Sequence, residues 1–203
     1  MARAKCPRCE RPLQFCICSN LQPEPACCEL LILQHPDEVR HPLNTARIAK
    51  LGIQNCTVLI GEDFTDHAQL NHLIEHKKVC LLFPDDQALL PSEHQKNHGQ
   101  PDVCIVLDGT WRKARKILHL NPHFHALPFI SLPEQQQSSY RIRKVPGPSA
   151  LSTIEAAVCL LRELSGNPQV HQNCLDSFNA MIERQIEAMG REVYEKNYRN
   201  RSN

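Results

Sequence analysis

Four short apolar runs, at residues 28–34, 56–60, 79–83 and 103–107, recur along this chain with helix-patterned segments between them. Short strands alternating with amphipathic helices predict an α/β domain built on a mostly parallel sheet flanked by helices. The helices are predicted from Asn44 or Thr45 to about Gly52, from an Asp66 cap to His76, and from Trp111 to Leu118. A loop rich in Gln, Ser and Pro then leads to a helix over 152–165 and a long polar helix from about His171, interrupted at Gly190 and fraying over 196–203. In sheets of this kind ligands sit at the carboxyl ends of the strands. Three segments therefore share one candidate rim: His35-Pro36, Pro84-Asp85-Asp86, and Asp108-Gly109-Thr110-Trp111.

The chain has 203 residues, 41% of them hydrophobic, which suits one globular domain with a small appendage. The appendage is residues 1–26, closed by Gln22-Pro23-Glu24-Pro25, and the main domain is 27–203. Inside the appendage, Cys6-x-x-Cys9 and Cys16-x-Cys18 place four thiols within thirteen residues. Zinc takes four soft ligands in a tetrahedron, and two tight cysteine pairs on facing turns supply them without a preformed core. Redox thiols, or Cys27 and Cys28 as substitute ligands, are the weaker readings. Cys56, Cys80, Cys104, Cys159 and Cys174 stand singly in apolar or helical stretches, where reduced cysteine packs as a small hydrophobe. The odd total of eleven favours a reducing compartment over a disulfide scaffold. No secretory apolar stretch opens the chain and no run approaches the ~20 residues that span a bilayer, so a soluble, cytoplasmic protein is expected.

A net charge of +1 gives no global electrostatic argument for nucleic acid. Basic residues gather locally instead, at Arg3, Lys5, Arg8 and Arg11, at Arg112, Lys113, Arg115 and Lys116, and at Arg141, Arg143 and Lys144. Taken singly, each cluster reads as a solvated face; their places beside the strand-end motifs make them candidate phosphate contacts.

The apolar run ending in Asp108-Gly109-Thr110-Trp111 has two readings. Gly109 permits close backbone approach to a ligand, Thr110 can cap the next helix, and Asp108 stands where a strand-end carboxylate can act as base or acceptor. Equally, an Asp before a helix is usually a cap and a lone Trp a core anchor. Leu151-Ser152-Thr153-Ile154-Glu155-Ala156 contains a capping box from Ser152 to Glu155, while the same helix start offers N–H groups to a carboxylate or phosphate.

Together, Asp108-x-Thr110-Trp111, His35-Pro36-x-Glu38 with Asn44-Thr45, Tyr140-x-x-Arg143 with Pro146, Leu151 to Ala156 and the N-terminal cysteines resemble the DTW-domain family, the tRNA-uridine aminocarboxypropyltransferases. The resemblance runs from Cys6 to about Ser165; the cysteine knuckle agrees with the bacterial form, and the C-terminal helix carries no signature. It implies a fold related to the SPOUT-type methyltransferases, with a C-terminal cofactor site that is knotted in such folds. It also implies S-adenosylmethionine as donor, transfer of its 3-amino-3-carboxypropyl group to N3 of a tRNA uridine, and methylthioadenosine as by-product. On that reading Asp108 is the base, and Pro84, Leu107, Gly109, Thr110, Trp111, Leu151, Ser152 and Thr153 hold the cofactor. Arg112, Lys113, Arg115, Arg141, Arg143 and Lys144 meet RNA phosphates, and His35, Arg40, Asn44 and Thr45 complete the wall. Two rivals stay open: an ordinary RNA methyltransferase on the same kind of fold, and a non-catalytic zinc-knuckle RNA-binding module in which Asp108 and Trp111 are structural.

Overall fold

The computed structural model describes residues 4–133, 138–142 and 151–199. Its strands are β1 (Glu29–Gln34), β2 (Cys56–Ile60), β3 (Val79–Leu82), β4 (Val103–Asp108) and β5 (Phe129–Ile130). They form one sheet in the order β2-β1-β4-β3-β5, every neighbouring pair parallel. A central parallel strand is covered on both faces and so must be apolar throughout, and Leu30, Leu31, Ile32 and Leu33 of β1 are each at most 1% exposed. Each such side chain stabilises the fold by roughly 1.5–3 kcal/mol when fully buried. Alternate residues point to opposite faces. Leu30, Ile32, Cys104 and Val106 pack with α1 (Ala46–Gly52), α5 (Thr153–Ser165) and α6 (Gln172–Met189). Leu31, Leu33, Leu81 and Ile105 meet the apolar faces of α2 (Ala68–His76) and α4 (Trp111–Leu120).

Two elements lie outside the sequence pattern. β5 falls in the stretch expected to be loop; it is two residues long and exists through pairing with β3, so it has too little sequence to carry a periodicity. The other is α3 (Pro91–His98), a polar helix with only Pro91 and His94 buried, whose start is set by Pro91 and by Glu93, which accepts from the Leu90 N–H at 2.9 Å. The cap of α2 is His67 rather than Asp66: its Nδ1 accepts from the Leu70 N–H at 3.2 Å. Gly190 ends α6 as expected, and a short turn, α7 (Arg191–Tyr194), follows. Among the described residues no helix is long and apolar enough to cross a membrane.

Residues of the N-terminal segment share the core of the main domain. Cys6, Cys9, Ile17 and Leu21 belong to the same cluster as Ile48, Phe178 and Ile182. Gly52 makes the join possible, because a Cβ there would lie 2.4 Å from Cys174 Sγ and 2.7 Å from Leu21 Cδ1. Leu21 therefore seats between α1 and α6 only where α1 lacks a side chain.

Candidate active site

Parallel pairing of β1 with β4 brings the carboxyl ends of both strands together, and the His35 N–H donates to the Asp108 carbonyl at 3.0 Å. Gln34 and Asp108 are register partners. Asp108 is 7% exposed, and its Oδ2 accepts from Gln34 Nε2 at 2.6 Å. Its Oδ1 accepts from the hydroxyl of Thr153, the first residue of α5. Gln34 Nε2 also donates to Asn44 Oδ1 at 3.2 Å, and that oxygen takes the Arg47 N–H at 3.1 Å. One buried hydrogen-bonded chain thus runs from α1 through β1 and β4 to α5. Ser152, fully buried, caps α5, and its hydroxyl and backbone N–H donate to Glu155 Oε2 at 2.7 and 2.8 Å. Glu155 also accepts from the Ser139 N–H at 2.6 Å and from the Ser138 hydroxyl, which pins residues 138–140 to the helix start.

Beside this chain lies a ring of charge. His35 Nδ1 accepts from the Asp37 N–H at 3.2 Å, leaving Nε2 to donate to Glu62. Glu62 Oε2 lies 2.6 Å from Lys116 Nζ, and that ammonium, followed by His35, holds the Glu62 carboxyl below its usual range. Lys113 Nζ sits 2.9 Å from Glu38 and 3.3 Å from Asp37. Burial works against its charge, but Glu38 and then Asp37 outweigh it and push its pKa up. Thr110 caps α4 as expected, its hydroxyl accepting from the Lys113 N–H at 3.4 Å. What Gly109 accommodates is protein: a Cβ there would lie 2.9 Å from Lys113 Cβ and 3.6 Å from His35 Cβ. Trp111 is no core anchor; it is 41% exposed and meets Phe83 edge-on at 6.0 Å, closing the rim next to exposed Pro84. Leu107, Leu151 and Thr153 are half-buried.

A cavity of about 640 Å³ lies between α5 and α6, lined among others by Leu151, Glu155, Arg162, Phe178 and Asn179. Leu151 alone of the expected cofactor set lines it; Pro84, Leu107, Gly109, Thr110 and Trp111 belong to the strand-end rim instead.

Cys6, Cys9, Cys16 and Cys18 converge, with all four sulfurs within 4.8 Å of one another. The Cys6–Cys18 and Cys9–Cys16 sulfurs are each 3.8 Å apart. Four thiolates about 2.3 Å from a zinc ion stand ~3.8 Å apart along the tetrahedron's edges, so the residues fit that metal. The N–H groups of Cys9 and then Arg8 lower the Cys6 thiol to about 6, whereas burial and then the neighbouring thiols push Cys18 up, so ionising all four needs the charge of a bound cation.

The expected phosphate contacts divide. Arg112 and Arg115 are exposed on α4, as is Arg40 beyond β1. Lys113 is held by Glu38 and Asp37, and Arg141 pairs with Glu183 on α6. Arg143, Lys144 and Pro146 lie outside the described residues.

Residues 3–186 match the DTW domain. The chain belongs to the DTW-domain family. This DTW domain is 31% identical over 192 residues to "tRNA-uridine aminocarboxypropyltransferase 2" of Drosophila melanogaster, covering 91% of this chain and 76% of the fly protein. It is 30% identical over 192 residues to the proteins of that name from Macaca fascicularis and Mus musculus, covering 91% of this chain but 64% of each relative. The chain thus spans under two thirds of the length of those two mammalian proteins. No solved structure matches it.

Two polar residues of the DTW domain's rim escaped sequence reasoning. Gln34 closes an otherwise apolar strand and reads as its polar end, although its burial to 3% exposure is what matters. A buried polar group in a central strand needs a partner, and that requirement was the available signal. Glu62 follows β2 by two residues and meets His35 only because β2 lies beside β1, so nothing near it in the chain marks it.

Proposed function

We propose that this chain transfers the 3-amino-3-carboxypropyl group of S-adenosylmethionine to N3 of a uridine in tRNA, releasing methylthioadenosine. The observation that carries the reading is the meeting of Asp108, Thr153 and Gln34 at the strand-end rim of a chain whose named relatives are tRNA-uridine aminocarboxypropyltransferases. The acceptor nitrogen carries an imide proton. Asp108 takes it, contributing roughly 10²–10⁴-fold in rate, as the N3–C bond forms and the C–S bond breaks with its electron pair passing to sulfur. Pro84, Leu107, Trp111 and Thr153 orient the donor, with Gly109, Thr110, Leu151 and Ser152 shaping the wall behind them, so that the aminocarboxypropyl carbon, rather than the less hindered methyl, faces N3; alignment of this kind is worth large factors. Of the expected phosphate contacts Arg112, Lys113, Arg115, Arg141, Arg143 and Lys144, the exposed pair Arg112 and Arg115 meet the RNA, while Lys113 spends its charge on Glu38 and Asp37. Zinc held by Cys6, Cys9, Cys16 and Cys18 supplies a structural clamp, and the reduced thiols suit a cytoplasmic enzyme.

The test is single-turnover reaction of the purified chain with S-adenosylmethionine and unmodified tRNA, followed by nucleoside mass analysis. Methylthioadenosine and a uridine heavier by the aminocarboxypropyl group support the reading. S-adenosylhomocysteine would make the chain a methyltransferase, and tRNA binding without donor affinity a binding module. Asp108→Asn sharpens the assay. Its amide can direct oxygen to Gln34 and nitrogen to the Thr153 hydroxyl, so the variant should fold and bind donor yet lose about two to four orders of magnitude in turnover. Turnover like wild type would remove Asp108 as the base.

A further inference from the structure

We infer that Gln34 is a positioning residue for Asp108, an assignment that rests on the transfer reaction proposed above. Gln34 is 3% exposed, and its carboxamide has one orientation open to it. Asn44, its neighbour, is itself fixed at both ends by backbone: Oδ1 accepts from the Arg47 N–H at 3.1 Å, and Nδ2 donates to the Val39 carbonyl at 3.2 Å. The Asn44 oxygen must therefore face Gln34, and Gln34 must answer with its NH₂ group, at 3.2 Å. The second hydrogen of the same nitrogen then points at Asp108 Oδ2, 2.6 Å away. Gln34 is thereby committed as a donor, and what it demands of Asp108 is an acceptor.

The strand register makes this demand rigid. Gln34 and Asp108 are opposite one another at the ends of β1 and β4, so their Cα positions are set by the ladder. Thr153 holds Oδ1 from α5 while Gln34 holds Oδ2 from β1, which fixes the plane of the carboxylate from two separate elements. A hydrogen bond to the ionised form also favours that form. Gln34 touches neither reactant in this scheme; it keeps the base ionised and aimed. A merely structural Gln34 would fill space and satisfy Asn44, and its loss would cost stability alone.

The experiment uses two variants of the full chain, Q34M and Q34E, assayed for methylthioadenosine release in single turnovers between about pH 6 and 9, with thermal unfolding and equilibrium binding of donor and tRNA in parallel. Q34M keeps the length and removes the donor. It should bind both substrates like wild type, turn over roughly 10–100-fold more slowly, and show the acid limb of its pH–rate profile displaced to higher pH, because a carboxylate that loses a donor is easier to protonate. Q34E keeps the shape and reverses the polarity. At high pH two carboxylates face one another and turnover is poorest; as pH falls the new carboxyl takes a proton, donates again, and the rate recovers toward wild type. A space-filling role predicts no such inversion. If wild type releases methylthioadenosine and both variants keep its rate and acid limb, or lose rate only in step with lost folded protein, the assignment of Gln34 is overturned while the proposed function stands. If wild type releases no methylthioadenosine, the proposed function fails and the assignment falls with it.

Discussion

Arg184, on α6, donates a hydrogen bond from Nη1 to the carbonyl of Cys16 at 2.5 Å, joining residues 168 positions apart. Arg47 on α1 does the same for the carbonyl of Cys9 at 3.1 Å, and Arg11 reaches the Pro42 carbonyl at 2.7 Å. The loops that carry the cysteines are thus held by arginines of the main body, and one arginine of the loops holds the main body in turn. Arg11 is 7% exposed, and burial lowers its pKa from the usual arginine value. A guanidinium is tolerated there because carbonyl oxygens receive its N–H groups.

The first prediction follows from that anchoring. Freshly purified protein should contain about one equivalent of zinc, and stripping it should destabilise the whole domain by several kcal/mol, lowering the melting temperature by roughly 10 °C. Fluorescence of Trp111, on the strand-end rim far along the chain from the cysteines, should report the same single transition. Cys16→Ser should behave like the stripped protein. If chelation removes the metal and the Trp111 transition stays in place, the cysteine segment is an independent appendage, and the shared core around Leu21 and Gly52 contributes little.

The second concerns RNA. Arg115 is exposed on α4, whereas Lys113, two residues earlier and so on a different face of the helix, has its ammonium on Glu38 and Asp37. Arg115→Ala should weaken tRNA binding and reduce the slope of log affinity against log salt by about one contact's worth, ~0.7–0.9. Lys113→Ala should leave that slope near wild type and instead cost on the order of 1 kcal/mol of stability through the unpaired Glu38. Filter binding across a salt series with both variants decides the matter; equal slopes for Arg115→Ala and wild type would make this face of α4 merely solvated.

The third concerns pH. His94 on α3 is 2% exposed, and neither ring nitrogen has a hydrogen-bond partner among the described residues. Burial, and then the nearby His98, lower its pKa. An unfolded chain takes up a proton at such a histidine near pH ~6.5 while the folded one resists it. The stability contribution is therefore fully present above that pH and is lost as pH falls through the lower folded value. His123 and His171, also lowered by burial, add to the same acid loss. His94→Met should match wild type at neutral pH within about 1 kcal/mol and show a shallower fall below pH ~6.5. Urea midpoints measured across that range are the check, and a fall as steep as wild type's would remove His94 from the account.

Much of the architecture was readable because the periodicity of one strand or helix lies within one short stretch. Leu30 to Leu33 read as a buried strand without reference to anything else, and Thr110 and Ser152 read as caps because their partners, Lys113 and Glu155, are three residues on. The four zinc-fitting cysteines were readable for the same reason, all lying within one short turn-rich stretch. β5 was not, since two residues in contact with β3 hold no pattern of their own, and α3 was not, since with only Pro91 and His94 buried it has no apolar period to read.

The strand-end motif named Asp108, but its surroundings came from elsewhere in the chain. Gln34 is 74 residues from Asp108 and Thr153 is 45, and each reaches a different carboxylate oxygen. Glu62 and His35 likewise meet only because β2 and β1 are neighbours. Local order is written in residue spacing, since turns, caps and periodic faces involve groups a few bonds apart. The partners of a strand-end carboxylate depend on strand order and register, which the packing of all five strands and their covering helices decides together. The chain alone therefore specified strands, caps and the metal-fitting cysteines; the assembled sheet decided that Asp108 is gripped from two sides, that Lys113 is neutralised, and that Trp111 faces outward.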